Sequence, residues 1–303
     1  MVSTTPISSS TLQQRTLPAG TKVAPVNKAQ RVARTVEAYY DSEEADEFYL
    51  HIWGGEDIHI GLYESAADTI ANASRRTVAA MADEIVMPLD EKHVVLDIGS
   101  GFGGPARYLA KRFGSRVVCL NISEVENERN RKTNCEQGID HLISVCHGSF
   151  ENIPAEDASI DLVWSQDAIL HSADRERVIA EVSRVLKPGG ELVFTDPMQV
   201  DDCPPKVLQA VYDRIHLDSL ASLRFYRATT LRHGFAEVSV QPMPNQLRNH
   251  YAAVQTQLKA RYEEMIDIAS REYVDRMLIG LKNWLEAADQ GYLDWGILHF
   301  QKR

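Results

Sequence analysis

Val94-Val95-Leu96-Asp97-Ile98-Gly99-Ser100-Gly101-Phe102-Gly103-Gly104-Pro105 is the stretch that decides the fold. A continuous apolar run holding one acid leads through a cluster of glycines to a proline. So short an apolar run, bounded by glycine, reads as a strand buried on both faces. Pro105 suits the first turn of a helix, and Gly114 marks its end. Without Cβ atoms, the backbone between them turns sharply and can approach a ligand closely. Gly99, Gly101 and Gly104 satisfy G-x-G-x-x-G, the dinucleotide fingerprint, although alone that match is weak.

The pattern repeats downstream. Val117-Val118-Cys119-Leu120 is a second strand. Ser123 and Glu126 form an S-x-x-E capping box for a helix that ends at Gly138. Leu142 to Cys146 and Ile160 to Trp164 are further strands. A helix starting at Asp174 carries Val178, Ile179, Val182 and Leu186, and Leu186-Lys187-Pro188-Gly189-Gly190 turns the chain into a fifth strand, Glu191 to Thr195. Buried strands alternating with helices predict a doubly wound α/β fold, a parallel sheet covered on both faces. Upstream, residues 28–48 read as one helix, Phe48 to Tyr63 as an aromatic and glycine-rich loop, and Ile70 to Ile85 as a helix ended by Pro88. Downstream come helical stretches near 204–222 and 225–233, a strand near Val238, an unbroken helical segment over 246–290 and a last strand from Leu293 to Phe300. The organisation expected is a tail (1–27), a helical lid (28–90), a core (91–200) and capping helices with final strands (201–303). No internal repeat is visible.

The chain has 303 residues, 44% hydrophobic and 25% charged, enough to bury a sizeable core without disulfides or metals. Cys119, Cys135, Cys146 and Cys203 form no CxxC pair, and Cys119 and Cys146, in apolar runs, read as buried thiols of a reducing compartment. No apolar run is long enough for a membrane span. The net charge is −11, but residues 1–36 hold Arg15, Lys22, Lys28, Arg31 and Arg34 and no acid, so the remainder stands at −16. Such a body repels phosphate backbones and argues against a nucleic-acid partner. Residues 1–27, rich in Ser, Thr and Pro, read as a disordered tail of a cytoplasmic protein. An organelle transit peptide is the alternative.

What the glycine loop binds is narrowed by its surroundings. A dinucleotide site expects Asp or Glu about 20 residues on, gripping a ribose; here the second strand ends in Asn121. Asp97 precedes the first glycine, where a carboxylate can steer a cationic amino-acid group. The later punctuation, Gly148-Ser149-Phe150, Ile153-Pro154 and Leu186 to Gly190, resembles the class I methyltransferase pattern, whose cofactor is S-adenosylmethionine. The resemblance spans about 93–198 and implies a seven-stranded sheet with one antiparallel strand near the end. It implies that Gly99 and Gly101 line the methionine part, that Asn121 meets the ribose, and that Ser149 and Phe150 flank adenine, with Asp97, Gly103, Ile122 and Gln166 completing the site. Asn121 and Ser149 stand where the common pattern has acids.

Two segments are placed to hold a second substrate. Ser165-Gln166-Asp167-Ala168-Ile169-Leu170-His171 follows the fourth strand, and ligands bind at the carboxyl ends of strands in such sheets. Tyr39-Tyr40-Asp41, Phe48-Tyr49 and Trp53-Gly54-Gly55-Glu56-Asp57 offer aromatic faces, which hold methylated cations by cation–π attraction. Together with Leu50-His51-Ile52, Ile58-His59, Trp164 to Ala168, Asp196-Pro197-Met198 and Asp294-Trp295-Gly296, these closely resemble sarcosine/dimethylglycine N-methyltransferases, which make the osmolyte glycine betaine. The layout is also similar to phosphoethanolamine methyltransferases, in which a tyrosine and a histidine form a catalytic pair. Those roles fall on Tyr40 and His171. Tyr49, Trp53 and Tyr226 are expected around the methylated nitrogen. Arg227 or Arg224 is the candidate partner for a substrate carboxylate. His51, His59, His141 and His147 make no convincing metal set and read as surface or packing residues. The alternatives are a phosphobase methyltransferase, another small-molecule C- or O-methyltransferase, a non-catalytic cofactor binder, and a nicotinamide dehydrogenase.

Overall fold

The computed structural model describes residues 28–214, 217 and 219–303; the expected tail, 1–27, lies outside them. The chain opens with α1 (Lys28–Tyr40) and α2 (Glu43–Phe48), a π-helical turn (Tyr49–Trp53) and α3 (Ile70–Asp83). The core follows as β1 (Val94–Ile98), α4 (Gly104–Phe113), β2 (Arg116–Asn121), α5 (Glu124–Glu136), β3 (Ile143–His147), β4 (Ile160–Gln166), a 3-10 turn (Ile169–His171), α6 (Arg175–Val185) and β5 (Leu186–Thr195). Then come β6 (Met198–Gln199), α7 (Gln209–Arg214), α8 (Leu223–Arg232), β7 (Phe235–Pro242), α9 (Pro244–Ala260), α10 (Tyr262–Ile268), α11 (Arg271–Asp289), β8 (Leu293–Asp294) and β9 (Gly296–Lys302).

The seven-stranded sheet has the order β3-β2-β1-β4-β5-β9-β7. Only β9 runs against its neighbours, as the resemblance implied. From β1 the chain winds outward through β2 and β3, then returns to β4 on β1's other side. That reversal opens a crevice beyond the carboxyl ends of β1 and β4, where ligands bind in doubly wound sheets. Asp97 pairs in register with Cys119 on one side and Trp164 on the other, so the strand ends stay level at the crevice.

Several elements differ from the sequence reading, each for a local reason. The helix expected over 28–48 breaks at Asp41-Ser42. Ser42 caps α2 by accepting from Ala45 N–H, and the Asp41 carboxylate accepts from the Ser123 hydroxyl at 2.7 Å. The 246–290 segment divides into α9, α10 and α11, with Ser270 capping the last through Tyr273 N–H. Of the 204–222 stretch, the described residues are helical only over α7. Lys187-Pro188-Gly189-Gly190 is a bulge inside β5, with Gly189 at φ +79°, and not a turn before it. The last strand is interrupted at Trp295, whose indole N–H turns inward to Asp167 at 2.8 Å.

The lid is fastened to the core by charge pairs. Arg107 on α4 donates to Glu56 at 2.9 Å, and within the lid Arg75 on α3 pairs with Asp57 at 2.9 Å. Arg129 on α5 bonds Asp46 of α2. The approach is close at Gly104, where a Cβ would lie 2.2 Å from Asp57 Oδ1 and 2.4 Å from the Glu56 carbonyl. An apolar cluster including Phe48, Ile52, Trp53, Tyr251, Tyr273 and Trp284 packs the lid onto α9 and α11.

Candidate active site

Two cavities meet at the crevice. The first, about 730 Å³ in empty volume, follows the glycine loop. Its walls include Gly99, Gly101, Asn121, Ile122, Ser149, Phe150 and Gln166, all expected there from the sequence. Gly99 has φ +73°, and a Cβ on it would lie 2.3 Å from the Ala168 Cβ, so only glycine fits. Trp164 N–H donates to Gln166 Oε1 at 3.0 Å and fixes the amide, leaving its buried Nε2 without a partner among the described residues. Asp97 and Gly103 are not wall residues. Asp97 is buried, with one carboxylate oxygen unpartnered among the described residues, and burial pushes its pKa up to about 7. Gly103 packs so closely on Asn130 that a Cβ would lie 2.2 Å from its Oδ1.

Glu126 is a wall residue the sequence reading did not single out for a ligand. As the capping box requires, Ser123 accepts from Glu126 N–H. The Glu126 carboxylate, however, takes the Asn121 amide at 2.7 Å. The acid missing from the end of β2 is thus supplied one helical turn on. Burial raises its pKa to about 7, against the pull of the Asn121 hydrogen bond.

The second cavity, about 720 Å³ in empty volume, lies beneath the lid. Val36, Tyr40, Ile58, Asp167 and His171 line both cavities and so form the passage between them. Tyr40, near the end of α1, meets His171, on the 3-10 turn after β4, with Oη 3.0 Å from Nε2. Burial of the Tyr40 hydroxyl, with Tyr39 and Glu126 nearby, pushes its pKa far above the ordinary tyrosine range, so it stays neutral. Asp167 is held in the left-handed region at φ 52°. Its carboxylate accepts from Ile60 N–H at 2.6 Å and Trp295 N–H at 2.8 Å, and burial pushes its pKa up to about 6.

Tyr39, Tyr49, Trp53, Tyr251 and Trp284 give the second cavity an aromatic wall. Tyr49 and Trp53 come from the aromatic segment singled out in the sequence. Tyr251 and Trp284 come from α9 and α11, far along the chain, and no local pattern marks them. His59, read as a packing residue, also lines this cavity. Its Nδ1 lies 3.2 Å from the Ile60 carbonyl, and burial lowers its pKa to about 3.

The expectations for Tyr226 and the arginines are corrected. Tyr226 is fully buried beneath the site, packed on Phe194, and donates to Asp196 at 2.6 Å; it is a wall residue of neither cavity. Arg227 is exposed and makes a two-pronged pair with Glu237 at 2.8 and 3.0 Å. Arg224 is exposed and pairs with Asp202. Among the described residues, no arginine or lysine lines either cavity. Nor is any group of three or more His, Cys, Asp or Glu placed to hold a metal ion among them.

Comparison with known proteins agrees with this architecture. A family model described as a methyltransferase domain matches residues 96–194. The sarcosine/dimethylglycine N-methyltransferase of Halorhodospira halochloris is 52% identical over 88% of this chain and 96% of its own length. That of Aphanothece halophytica is 51% identical over 91% of this chain and its entire length. A crystal structure from Galdieria sulphuraria, provisionally named a sarcosine dimethylglycine methyltransferase, superposes with a TM-score of 0.83 at 42% identity, covering 87% of this chain and 98% of its own. Identity of this order, over nearly the full length of its relatives, shows that the chain belongs to the sarcosine/dimethylglycine N-methyltransferase family.

Proposed function

We propose that the protein methylates the nitrogen of sarcosine and dimethylglycine, using S-adenosylmethionine, and so makes glycine betaine. The reading rests on the second cavity. It joins an aromatic wall to a Tyr40–His171–Asp167 cluster and carries no arginine or lysine among the described residues. A phosphobase substrate brings a phosphate that calls for arginine or lysine. An amino-acid methylamine needs only an aromatic enclosure, a proton acceptor and donors for one carboxylate. The acidic chain, its free thiols and the lack of a membrane-crossing helix among the described residues suit a cytoplasmic setting.

The first cavity fits the cofactor. Gly99 and Gly101 present bare backbone to it, and the Gln166 Nε2, without a partner among the described residues, suits an acceptor such as its carboxylate. Asn121 and Glu126 would hold ribose hydroxyls, while Ile122, Ser149 and Phe150 would hold adenine. When bound, the cofactor supplies an electrophilic methyl group on a sulfonium sulfur.

The chain's own residues must do the rest. An aliphatic ammonium has a pKa of about 10 and no lone pair until it loses a proton. His171, in the passage between the cavities, would accept that proton, and the neutral Tyr40 hydroxyl would hold its imidazole in place. Asp167, facing both cavities, would supply negative charge opposite the amine and the quaternary cation that replaces it. The faces of Tyr39, Tyr49 and Tyr251 would enclose the methyl groups and exclude water.

The test is methyl transfer from labelled S-adenosylmethionine to glycine, sarcosine, dimethylglycine and phosphoethanolamine. Transfer to sarcosine and dimethylglycine is expected. Transfer to phosphoethanolamine alone would overturn the substrate assignment. A second measurement addresses the cofactor. Glu126 accepts hydrogen bonds best when ionised, so S-adenosylmethionine affinity should weaken as pH falls through about 7. In Glu126→Gln the dissociation constant is expected to rise about tenfold at pH 8, equivalent to one charge-assisted hydrogen bond. Its pH dependence should flatten. An unchanged titration curve would remove Glu126 from the ribose site.

A further inference from the structure

The amine end of the second cavity is furnished by Tyr40, His171 and Asp167, but an amino-acid substrate also carries a carboxylate. The sequence offered Arg224 and Arg227 for it, and both are paired at the surface. The four tryptophans of the chain point to another answer. All four are buried. Trp164 donates its indole N–H to Gln166 and Trp295 donates to Asp167. Trp53 and Trp284 leave theirs with no acceptor among the described residues. Those two, and not the others, line the second cavity. Buried N–H groups in folded proteins almost always find partners, so an unmatched pair at one cavity marks a place for an acceptor.

The two rings share one wall. Trp53 meets Tyr251 edge to face at 5.9 Å, and Tyr251 stacks on Trp284 at 4.8 Å. His250, packed on Trp53 at 5.0 Å, accepts Gly61 N–H at its Nδ1, and burial lowers its pKa to about 3, so this wall stays uncharged.

We propose that Trp53 and Trp284 bind the substrate carboxylate by donating their indole N–H groups to its oxygens. This rests on the amino-acid reading above and names the subsite that reading requires. The chemistry favours indole here. Its N–H donates only and does not titrate in the working range. It adds no positive charge beside a sulfonium and an ammonium, which an arginine would repel. It is no nucleophile, unlike a lysine, and so does not compete for the methyl group. Two neutral donors suit a monoanion, whereas a phosphate dianion calls for cations. The wall therefore selects amines that carry a carboxylate.

The experiment uses Trp53→Phe and Trp284→Phe, which keep an aromatic ring and delete the donor. Each is assayed on dimethylglycine and on its uncharged amide, dimethylglycinamide. In each variant KM for dimethylglycine is expected to rise about 10- to 100-fold, the effect of one hydrogen bond to a charged group. Efficiency on the amide, whose neutral carbonyl accepts the same N–H more weakly, should fall by less than about tenfold, and affinity for S-adenosylmethionine should stay within about threefold of the unsubstituted enzyme. A dimethylglycine KM that does not move, or equal losses on acid and amide, would overturn the subsite, because damage to packing does not discriminate between them. If the unsubstituted enzyme uses no amino-acid methylamine at all, the substrate reading fails first and the subsite falls with it.

Discussion

His171→Ala is expected to lower kcat on dimethylglycine by about 10²- to 10⁴-fold, the range usual for a lost general base. His171 lies in the passage between the two cavities, and Tyr40 holds its Nε2 at 3.0 Å. The ring is only partly buried, so alanine should leave the fold intact and S-adenosylmethionine affinity within about tenfold. The pH profile separates a chemical role from a packing one. Without an acceptor, the variant can use only amine already deprotonated in solution, and for a pKa of about 10 that fraction rises tenfold per pH unit. Between pH 7 and 9 the log of kcat/KM should therefore climb with a slope near one, more steeply than in the unsubstituted enzyme. Tyr40→Phe keeps the imidazole but removes its anchor, and an intermediate loss of about 10- to 100-fold is expected. Full turnover in His171→Ala would sink the assignment. So would a Tyr40→Phe enzyme indistinguishable from the parent, because the pair would then do nothing jointly.

What could be read from the sequence divides by the range of the interaction. The core was legible because its determinants are local: an apolar run, a glycine cluster and a proline specify strand, loop and helix within a dozen residues. The first cavity follows directly, since Gly99, Gly101, Asn121, Ile122, Ser149, Phe150 and Gln166 all sit at or just beyond strand ends. The second cavity was half legible. Tyr40, Tyr49, Trp53 and His171 belong to two continuous segments, but Tyr251 and Trp284 lie on helices where they read as ordinary core positions. Nothing local distinguishes a buried indole that has an acceptor from one that lacks it. Arg227 misled for the same reason. Its partner Glu237 is ten residues away, across the turn from α8 to β7, and only the folded chain shows the pair closed at the surface. The break at Asp41-Ser42 did carry a local signal, because a serine followed by Glu43 and Glu44 is a helix start.

Asp167→Asn is expected to reduce kcat/KM for dimethylglycine by about 100-fold while abolishing a fall of thermal stability between about pH 4 and 8. Asparagine has the same shape, and it tolerates the left-handed backbone that this residue adopts at φ 52°. Two things change: the charge, and the hydrogen bonding, because both carboxylate oxygens accept N–H donors and an amide has one acceptor oxygen for Ile60 N–H and the Trp295 indole. Asp167 faces both cavities, opposite the place where the amine becomes a quaternary cation, and at an effective dielectric of about 20 a nearby opposite charge contributes a few kcal/mol. Burial lifts its pKa from 3.8 to about 6, so the ionised form prevails only above that pH. Below it, activity should fall as the carboxylate gains a proton, and in the variant that contribution to the acid limb should vanish, reducing the log–log slope by about one. The stability change has the opposite sign. A carboxyl that holds its proton more tightly folded than unfolded stabilises the protein fully below 3.8, and that contribution is lost as pH rises through about 6. In the variant that fall of stability with rising pH should disappear, while Tm at a single pH sets the relieved charge against the acceptor lost to Ile60 or Trp295. Activity lost with the acid limb unchanged would mean that Asp167 only braces Ile60 and Trp295. Activity lost together with that part of the acid limb would mean that the fold sustains this carboxylate for the sake of the cation it faces.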